Sequence, residues 1–204
     1  MSATFSLDRP TELLQVLRTS TGPLHVRLEE RMPFFTPSLD APLYFRLLKA
    51  YYGFYQPLEE ALVASGLMPD ELVPAERIKT PALVNDLRAL GMSDPEIAQL
   101  PLCRDLPVID SPGAVLGVMY VLEGATLGGQ LLRREVQARI GLDEHSGLAF
   151  LDVYGSATGR RWKAFLNHLS DVPREPQVVE AAARAAHSTF ARFEHWLDAR
   201  KVLV

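Results

Sequence analysis

The 204-residue sequence contains very little cysteine, which limits its covalent structure and indicates its compartment. Cys103 is the single cysteine, so no disulfide can form within the chain. A lone thiol is typical of a reducing compartment, and without a neighbouring histidine or second cysteine it is best explained as a buried structural residue. The N-terminal stretch also lacks the charged-then-apolar pattern of a signal peptide. We therefore expect a cytoplasmic protein.

Excess positive charge is absent as well. The chain has 21 Lys and Arg against 25 Asp and Glu, a formal net charge of −4, and no basic block. Nucleic-acid-binding surfaces neutralise phosphates with clustered basic residues, so nothing here favours such a partner. The longest apolar run ends at Glu123, far short of the roughly 20 residues that a membrane-spanning helix needs. We expect neither a nucleic acid nor a membrane as partner.

Several catalytic signatures are missing from the sequence. It has no GxSxG motif, no P-loop and no dinucleotide-binding fingerprint. His168, His187 and His195 have no ligand-type spacing with Glu or Cys. These absences disfavour a zinc site and the metalloprotease chemistry of an HExxH motif.

Helical periodicity is present along most of the chain. Leucines at helical spacing predict a first helix from Thr11 over residues 11–31. Asp40 and Gly66 suit the two ends of a second helix over 41–65, and Ser93 with Glu96 forms a capping box for a short one. Residues 148–153 have no strand partner elsewhere, so we expect irregular chain or a helical turn there. The prediction is an all-α fold of seven or eight helices in one domain, 1–204.

The most unusual stretch, residues 111–141, has the pattern of one long helix. Ser111 suits the N-cap, Pro112 the first helical position and Gly141 a left-handed C-terminal cap. Each glycine inside a helix costs about 1 kcal/mol relative to alanine. The helix nevertheless contains four interior glycines: Gly117, Gly124, Gly128 and Gly129.

Three of these glycines share one face of the predicted helix. At about 100° per residue, Gly117, Gly124 and Gly128 fall within about 20° of one line, with Gly113 close by. Such a stripe of bare backbone suits a membrane helix contact, tight packing against a soluble helix, or a flat ligand. Length disfavours the membrane, and the other two interpretations remain equally supported by this stretch.

Candidate ligand residues lie on the first helix. His25 is on its apolar side, with Glu29 one turn onward and Arg18 two turns back. A lone histidine on an apolar face is more often a core residue than a ligand. However, a carboxylate at i+4 can take the proton of one ring nitrogen and so orient the other toward a metal.

Two further groups are open to more than one interpretation. The second helix carries an aromatic cluster that suits either a hydrophobic core or the wall of a planar cofactor, and Tyr55 is part of it. A later helix, beginning at Ser156 or Thr158, carries Arg161 and Lys163 near its N-terminus. Positive charge there opposes the helix dipole, which indicates either a nearby anion or a solvated basic face.

Taken together, these features resemble the haem oxygenase family, above all the bacterial enzymes that accompany bacteriophytochromes. The likeness is carried in order by residues 17–29, 51–60, the run YVLEGATLGGQ at 120–130, and 190–197. It implies a helical bundle that holds haem between the first helix and a kinked, glycine-rich distal helix. It also implies degradation of haem with O2 and reducing equivalents to biliverdin, carbon monoxide and ferrous iron.

The resemblance implies roles for individual residues. His25 would be the proximal iron ligand, and Glu29 would orient its ring. Tyr55 would belong to the distal water network. The distal wall would consist of Gly124, Gly128 and Gly129, and the candidates for contact with the haem propionates are Arg18, Tyr120, Arg161 and Lys163.

Two partners are implied in the same way. One is an electron donor such as a ferredoxin or a reductase, which exposed basic residues such as Arg160 or Arg161 would dock. The other is a bacteriophytochrome that accepts biliverdin.

One position departs from the family pattern. Many members carry Asp directly after the first glycine of the distal wall, where it organises water, and here that residue is Ala125. Proton delivery must then use backbone carbonyls, Tyr55 or another polar side chain, and Glu123 is a poor substitute because it lies about 120° from the stripe. The alternatives are a haem carrier or sensor of the same fold, and a helical interaction protein whose glycines serve only packing.

Overall fold

The computed structural model describes residues 12–142, 147–173 and 175–204. Within those ranges it contains eight α-helices and no β-strand, which confirms the predicted all-α fold. Short 3-10 turns connect several of the helices. The helices are α1 (Glu12–Arg31), α2 (Ala41–Ser65), α3 (Thr80–Ala89), α4 (Asp94–Ala98), α5 (Pro112–Gly124), α6 (Gly129–Ile140), α7 (Thr158–Asp171) and α8 (Pro176–Ala199). Thr11, the predicted first residue of α1, lies outside the described residues.

Helix ends follow the local signals in the sequence. At α2, the Oδ1 atom of Asp40 accepts a hydrogen bond from the Leu43 amide at 2.7 Å, and Gly66 closes the helix with φ of +64°. At α4, the Glu96 carboxylate accepts from the Ser93 amide at 2.8 Å, as the capping box predicts. These bonds satisfy amides that have no partner within the helix.

Helix α5 packs along α8 at backbone distance. A Cβ atom built on Gly113 would lie 2.5 Å from the Val178 carbonyl oxygen, and one on Gly117 would lie 2.9 Å from the Ala182 carbonyl carbon. Real Cβ atoms do not approach so closely, so only glycine allows this contact. The first half of the glycine stripe therefore serves tight helix packing.

The prediction of a single helix over residues 111–141 is wrong. Helix α5 ends at Gly124, a 3-10 turn spans Ala125–Leu127, and α6 starts at Gly129, with a bend of 46° at the break. The hydroxyl of Thr126 donates to the Glu123 carbonyl at 2.7 Å, a local bond that competes with continued helix. Glycine's weak helix propensity lowers the cost of the break. The resulting kink is the one that the family resemblance implies.

Gly129 explains where the chain turns. A Cβ atom there would lie 3.0 Å from the carbonyl carbon of Leu151 and closer still to its oxygen. The segment that carries Leu151 forms a 3-10 turn, Phe150–Asp152, in agreement with the helical turn predicted for this part of the chain. The carboxylate of buried Asp86 holds the turn by accepting from the amides of Ala149 and Phe150, both at 2.8 Å.

Ion pairs join α1 to α8. The carboxylate of Glu194 accepts from Arg27 and from Arg31, the latter at 2.9 Å, and Arg31 also pairs with Asp198. Burial raises the pKa of Glu194, but the hydrogen bonds from the two arginines outweigh it and hold that pKa below its usual value.

In the described part of the chain, no single helix is both long and apolar enough to cross a membrane. The bent pair Pro112–Leu127 and Gly129–Ile140 meets the length and composition criterion only when the two are taken together.

Candidate functional site

A cavity of about 950 Å³ opens between α1, α2, α5, α6 and α8. Its size lies in the range of small-molecule and cofactor sites. The wall is mostly apolar and is rich in aromatic rings: Phe34, Phe35, Tyr51, Phe54, Tyr55, Tyr120, Phe150, Trp162, Phe190 and Phe193. Such a lining suits a flat apolar ligand, and the few polar groups along it would fix the orientation of that ligand.

His25 lines this cavity from α1. Its Nδ1 atom is 3.2 Å from the Glu29 carboxylate, and the ring stands edge-on to Phe190 with centroids 5.9 Å apart. No described residue bonds the Nε2 atom. Glu29 and Phe190 therefore fix the orientation of the imidazole ring, and its Nε2 atom remains available to bind a metal.

Bare backbone forms the part of the wall that follows the break after α5. Gly124, Ala125, Gly128 and Gly129 all line the cavity. A Cβ atom on Gly124 would meet only the Trp162 ring, at 3.9 Å, and one on Gly128 would meet nothing within 4 Å. The second half of the glycine stripe thus borders open space, unlike Gly113 and Gly117.

Two tyrosines of α2, Tyr51 and Tyr55, line the cavity. Tyr55 stacks edge-on against Tyr51 and Phe150, with centroids 6.2 and 5.1 Å away. Burial is the main reason that the pKa of Tyr55 is raised well above its usual value, and nearby negative charges raise it further. Burial raises the pKa of Tyr51 as well, so both hydroxyls stay protonated at neutral pH and keep their hydrogen-bond donors.

Of the four predicted propionate contacts, the structure brings two to the cavity. Arg18 and Tyr120 line it, and no described residue pairs with the Arg18 guanidinium. Arg161 points elsewhere, because it donates to the backbone and carboxylate of Glu76, each at 2.7 Å. Lys163 is exposed and does not contribute to the cavity wall. At the basic start of α7, Arg161 is thus held in an ion pair with Glu76 and Lys163 is exposed to solvent.

One cavity residue, Lys79, was not predicted from its own position in the sequence. Lys79 precedes α3 in a stretch without periodicity, yet its side chain is buried and lies in the cavity wall. It donates to Glu123, which is likewise buried and is not among the residues that line the cavity. A lone carboxylate within the apolar run of α5 was the available clue, because a buried charge requires a partner.

Comparison with known proteins identifies relatives along nearly the whole chain. The family model described as heme oxygenase matches residues 11–199. A protein of Xanthomonas campestris named heme oxygenase is 32% identical over 179 residues, which cover 79% of this chain and 92% of that protein.

Two solved structures share the fold. The heme oxygenase of Leptospira interrogans superimposes with a TM-score of 0.75 at 20% identity, covering 93% of this chain and 100% of that one. Heme oxygenase-1 of the cyanobacterium Synechocystis, solved in complex with heme, gives a TM-score of 0.74 at 16% identity, covering 93% and 92%.

Proposed function

The chain belongs to the haem oxygenase family and is an enzyme that degrades haem, and on this premise we propose that it converts haem to biliverdin, carbon monoxide and ferrous iron with His25 as the iron ligand. The observation that carries the proposal is one cavity with an imidazole on its α1 wall and the glycine backbone of Gly124 and Gly128 on its α5–α6 wall. A flat tetrapyrrole needs both features at once.

The residues present fit haem. The contact between Nδ1 and Glu29 leaves Nε2 of His25 with a lone pair for iron, and neutral imidazole is a common iron ligand. Gly124 and Gly128 leave space that a Cβ atom would fill, so a planar group can approach the backbone. Arg18 is placed to pair with a carboxylate at the cavity edge, and Tyr120 to donate a hydrogen bond there.

Haem would supply the iron at which O2 is activated, and the chain would bind the haem, orient it and shield the site from bulk water. His25 holds the substrate by one face. The glycine wall offers no ligand on the other face, so space for O2 stays open. The aromatic lining would exclude bulk water once haem is bound, and the Tyr55 hydroxyl has one O–H group to donate within the cavity.

The remaining parts of the proposal concern partners. Electrons come from a ferredoxin or a reductase, and the cytoplasm is the proposed compartment. A bacteriophytochrome is the proposed acceptor of biliverdin. The support for these partners is the resemblance described in the sequence.

One experiment separates the candidate functions. Hemin is added to the protein, the Soret band is recorded, and ascorbate or reduced ferredoxin is then added in air. Loss of the Soret band with growth of a biliverdin band is the expected result. A Soret band that persists would instead identify a haem carrier or sensor, for which Ala125 is the supporting feature. No Soret band at all would leave an interaction protein.

The His25→Ala variant tests the ligand directly. We expect the Soret maximum to move and haem affinity to fall about tenfold, with apo-protein stability changed by less than about 0.5 kcal/mol because the side chain is half exposed. Free imidazole should restore the spectrum. The matched control is His187→Ala on the exposed face of α8, which should bind haem as the parent does. An unchanged Soret band in His25→Ala would remove this residue from the site.

A further inference from the structure

Buried charges gather next to the break between α5 and α6. The Glu123 carboxylate accepts hydrogen bonds from Lys79 Nζ at 2.8 Å, from the Tyr154 hydroxyl at 2.9 Å and from Arg77 Nη1 at 2.5 Å. These four residues are the Glu123 cluster. Glu123 directly precedes Gly124, so the cluster lies immediately behind the bare wall of the cavity.

Lys79 connects this cluster to the cavity. Its side chain is 2% exposed, and the residue lines the cavity. Two of its three N–H groups are used, one on Glu123 and one on the Arg77 carbonyl at 2.8 Å. The Tyr154 ring centroid lies 5.3 Å from Nζ, and no described residue accepts from the third N–H. One ammonium donor therefore remains available.

The charges balance without reference to any ligand. Glu59 accepts from the Lys79 amide and from Thr80. Two carboxylates, Glu59 and Glu123, are thus buried with two cations, Arg77 and Lys79. Burying ions costs several kcal/mol each, and replacing a buried ion pair by apolar residues is often neutral or stabilising. Stability alone is thus a weak reason for so many charges here, and their place beside the cavity suggests a second role.

Haem degradation requires protons, which a buried ammonium group beside the cavity could provide. Reduction of O2 to water consumes protons, and this inference rests on the proposed function. Residues 124–128 of this wall carry no acidic side chain, and their one polar side-chain group, the Thr126 hydroxyl, donates to the Glu123 carbonyl. Burial raises the pKa of the Tyr55 hydroxyl, and that of Tyr154 likewise, so neither can act as a proton source unless each proton it gives is replaced as it leaves.

We propose that Lys79 donates protons to water in the cavity and that Glu123 and Tyr154 position and reload it. The ammonium gives one proton to cavity water and becomes a neutral amine. To restore the ammonium, Tyr154 passes its hydroxyl proton to the Glu123 carboxylate across 2.9 Å as it takes another from solvent, and Glu123 then passes the proton it has gained to the Lys79 amine across 2.8 Å. Only N–H and O–H bonds change, and one proton moves inward in each cycle.

Charged and titratable groups near Glu123 come from three further parts of the chain: the segment before α3, helix α2 and helix α7. Arg77 and Lys79 come from the segment before α3, and Glu59 and Tyr55 from α2. Arg161 of α7 lies over the Tyr154 ring at 4.6 Å.

The first test is an optical pH titration of the ferric haem complex, which follows its acid–alkaline transition. Lys79→Met removes a buried positive charge, so the pKa of the transition should rise by about one unit. Glu123→Gln removes a buried negative charge and should lower that pKa by a similar amount. The control Lys49→Met, whose ammonium contacts the Phe45 ring outside the cavity, should leave it unchanged. Merely structural damage would not give opposite signs.

The second test is single-turnover haem degradation in H2O and D2O. Lys79→Met should bind haem within about threefold of the parent, degrade it at least about tenfold more slowly, and show a larger solvent isotope effect. Tyr154→Phe keeps the ring and loses only the hydroxyl, so it should fold normally and slow degradation about three- to tenfold. Tyr154→Phe therefore tests proton delivery through the Glu123 cluster even if Lys79→Met does not fold.

Three results would overturn the proposal: shifts of the same sign in Lys79→Met and Glu123→Gln, shifts below about 0.2 unit, or parental turnover in Tyr154→Phe. Failure of the parent protein to degrade haem would contradict the proposed function instead. Normal turnover by the parent with unaffected variants would contradict only the role of the Glu123 cluster.

Discussion

Two alanine substitutions in α5 should have opposite effects, because the glycine stripe serves two purposes. In Gly117→Ala the new Cβ would lie 2.9 Å from the Ala182 carbonyl carbon and closer to its oxygen. Ordinary carbon contacts are about 3.5–4.0 Å, so the α8 backbone would have to retreat by about 0.6 Å or more. In Gly124→Ala the nearest atom is a Trp162 carbon at 3.9 Å, which is an ordinary contact.

The magnitudes follow from these distances. Overpacking against a backbone that cannot rotate away should cost about 3 kcal/mol, and alanine's better helix propensity returns about 1 kcal/mol. The net loss of about 2 kcal/mol lowers the Tm of a protein of this size by about 4–8 °C. Gly124→Ala has no such clash, so its Tm should stay level or rise slightly. Its methyl enters the cavity, and haem affinity should fall about tenfold, or about 1.4 kcal/mol.

The assay pairs thermal unfolding of the apo-protein with a hemin titration for each variant. Gly117→Ala should lose stability yet keep haem affinity within about threefold, and Gly124→Ala should show the reverse. The assignment of the two halves of the stripe would be refuted if both variants lost similar stability with haem affinity unchanged.

Two further predictions concern the supports of the cavity. Because the pKa of Glu194 is depressed, its stabilising effect is present above the unfolded pKa of about 4.3 and is lost as pH falls through the lower folded pKa. Glu194→Gln should therefore flatten the acid side of a Tm–pH profile, and an unchanged profile would contradict this. Asp86→Ala should cost about 3 kcal/mol and weaken haem binding, because it releases the turn that carries Phe150. Substitution of the exposed Asp171 by alanine is the control. Equal Tm values for Asp86→Ala and Asp171→Ala would contradict a stabilising role for the hydrogen bonds between Asp86 and this turn.

The parts of the fold that follow from local rules were predictable. The ends of α2 depend on Asp40 and Gly66, whose effects extend over only a few residues, and the structure has both as predicted. The break at Ala125–Leu127 was not predictable in the same way. Its position depends on the Leu151 backbone, which is distant in sequence and reaches Gly129 only in the folded chain.

The candidate site shows the same division. His25 and Glu29 share a helix face, so their contact could be derived from spacing. Whether a glycine meets another helix or open space depends on the neighbour that packs there, which spacing does not specify. Lys79 and Glu123 are 44 residues apart, and no periodic pattern links them.

The most direct measurement of the central claim is a crystal structure of the ferric haem complex. In that complex we expect the iron to be bonded to Nε2 of His25 and the other porphyrin face to lie against the backbone of Gly124 and Gly128. Iron ligated by a different residue, or haem bound outside this cavity, would contradict it.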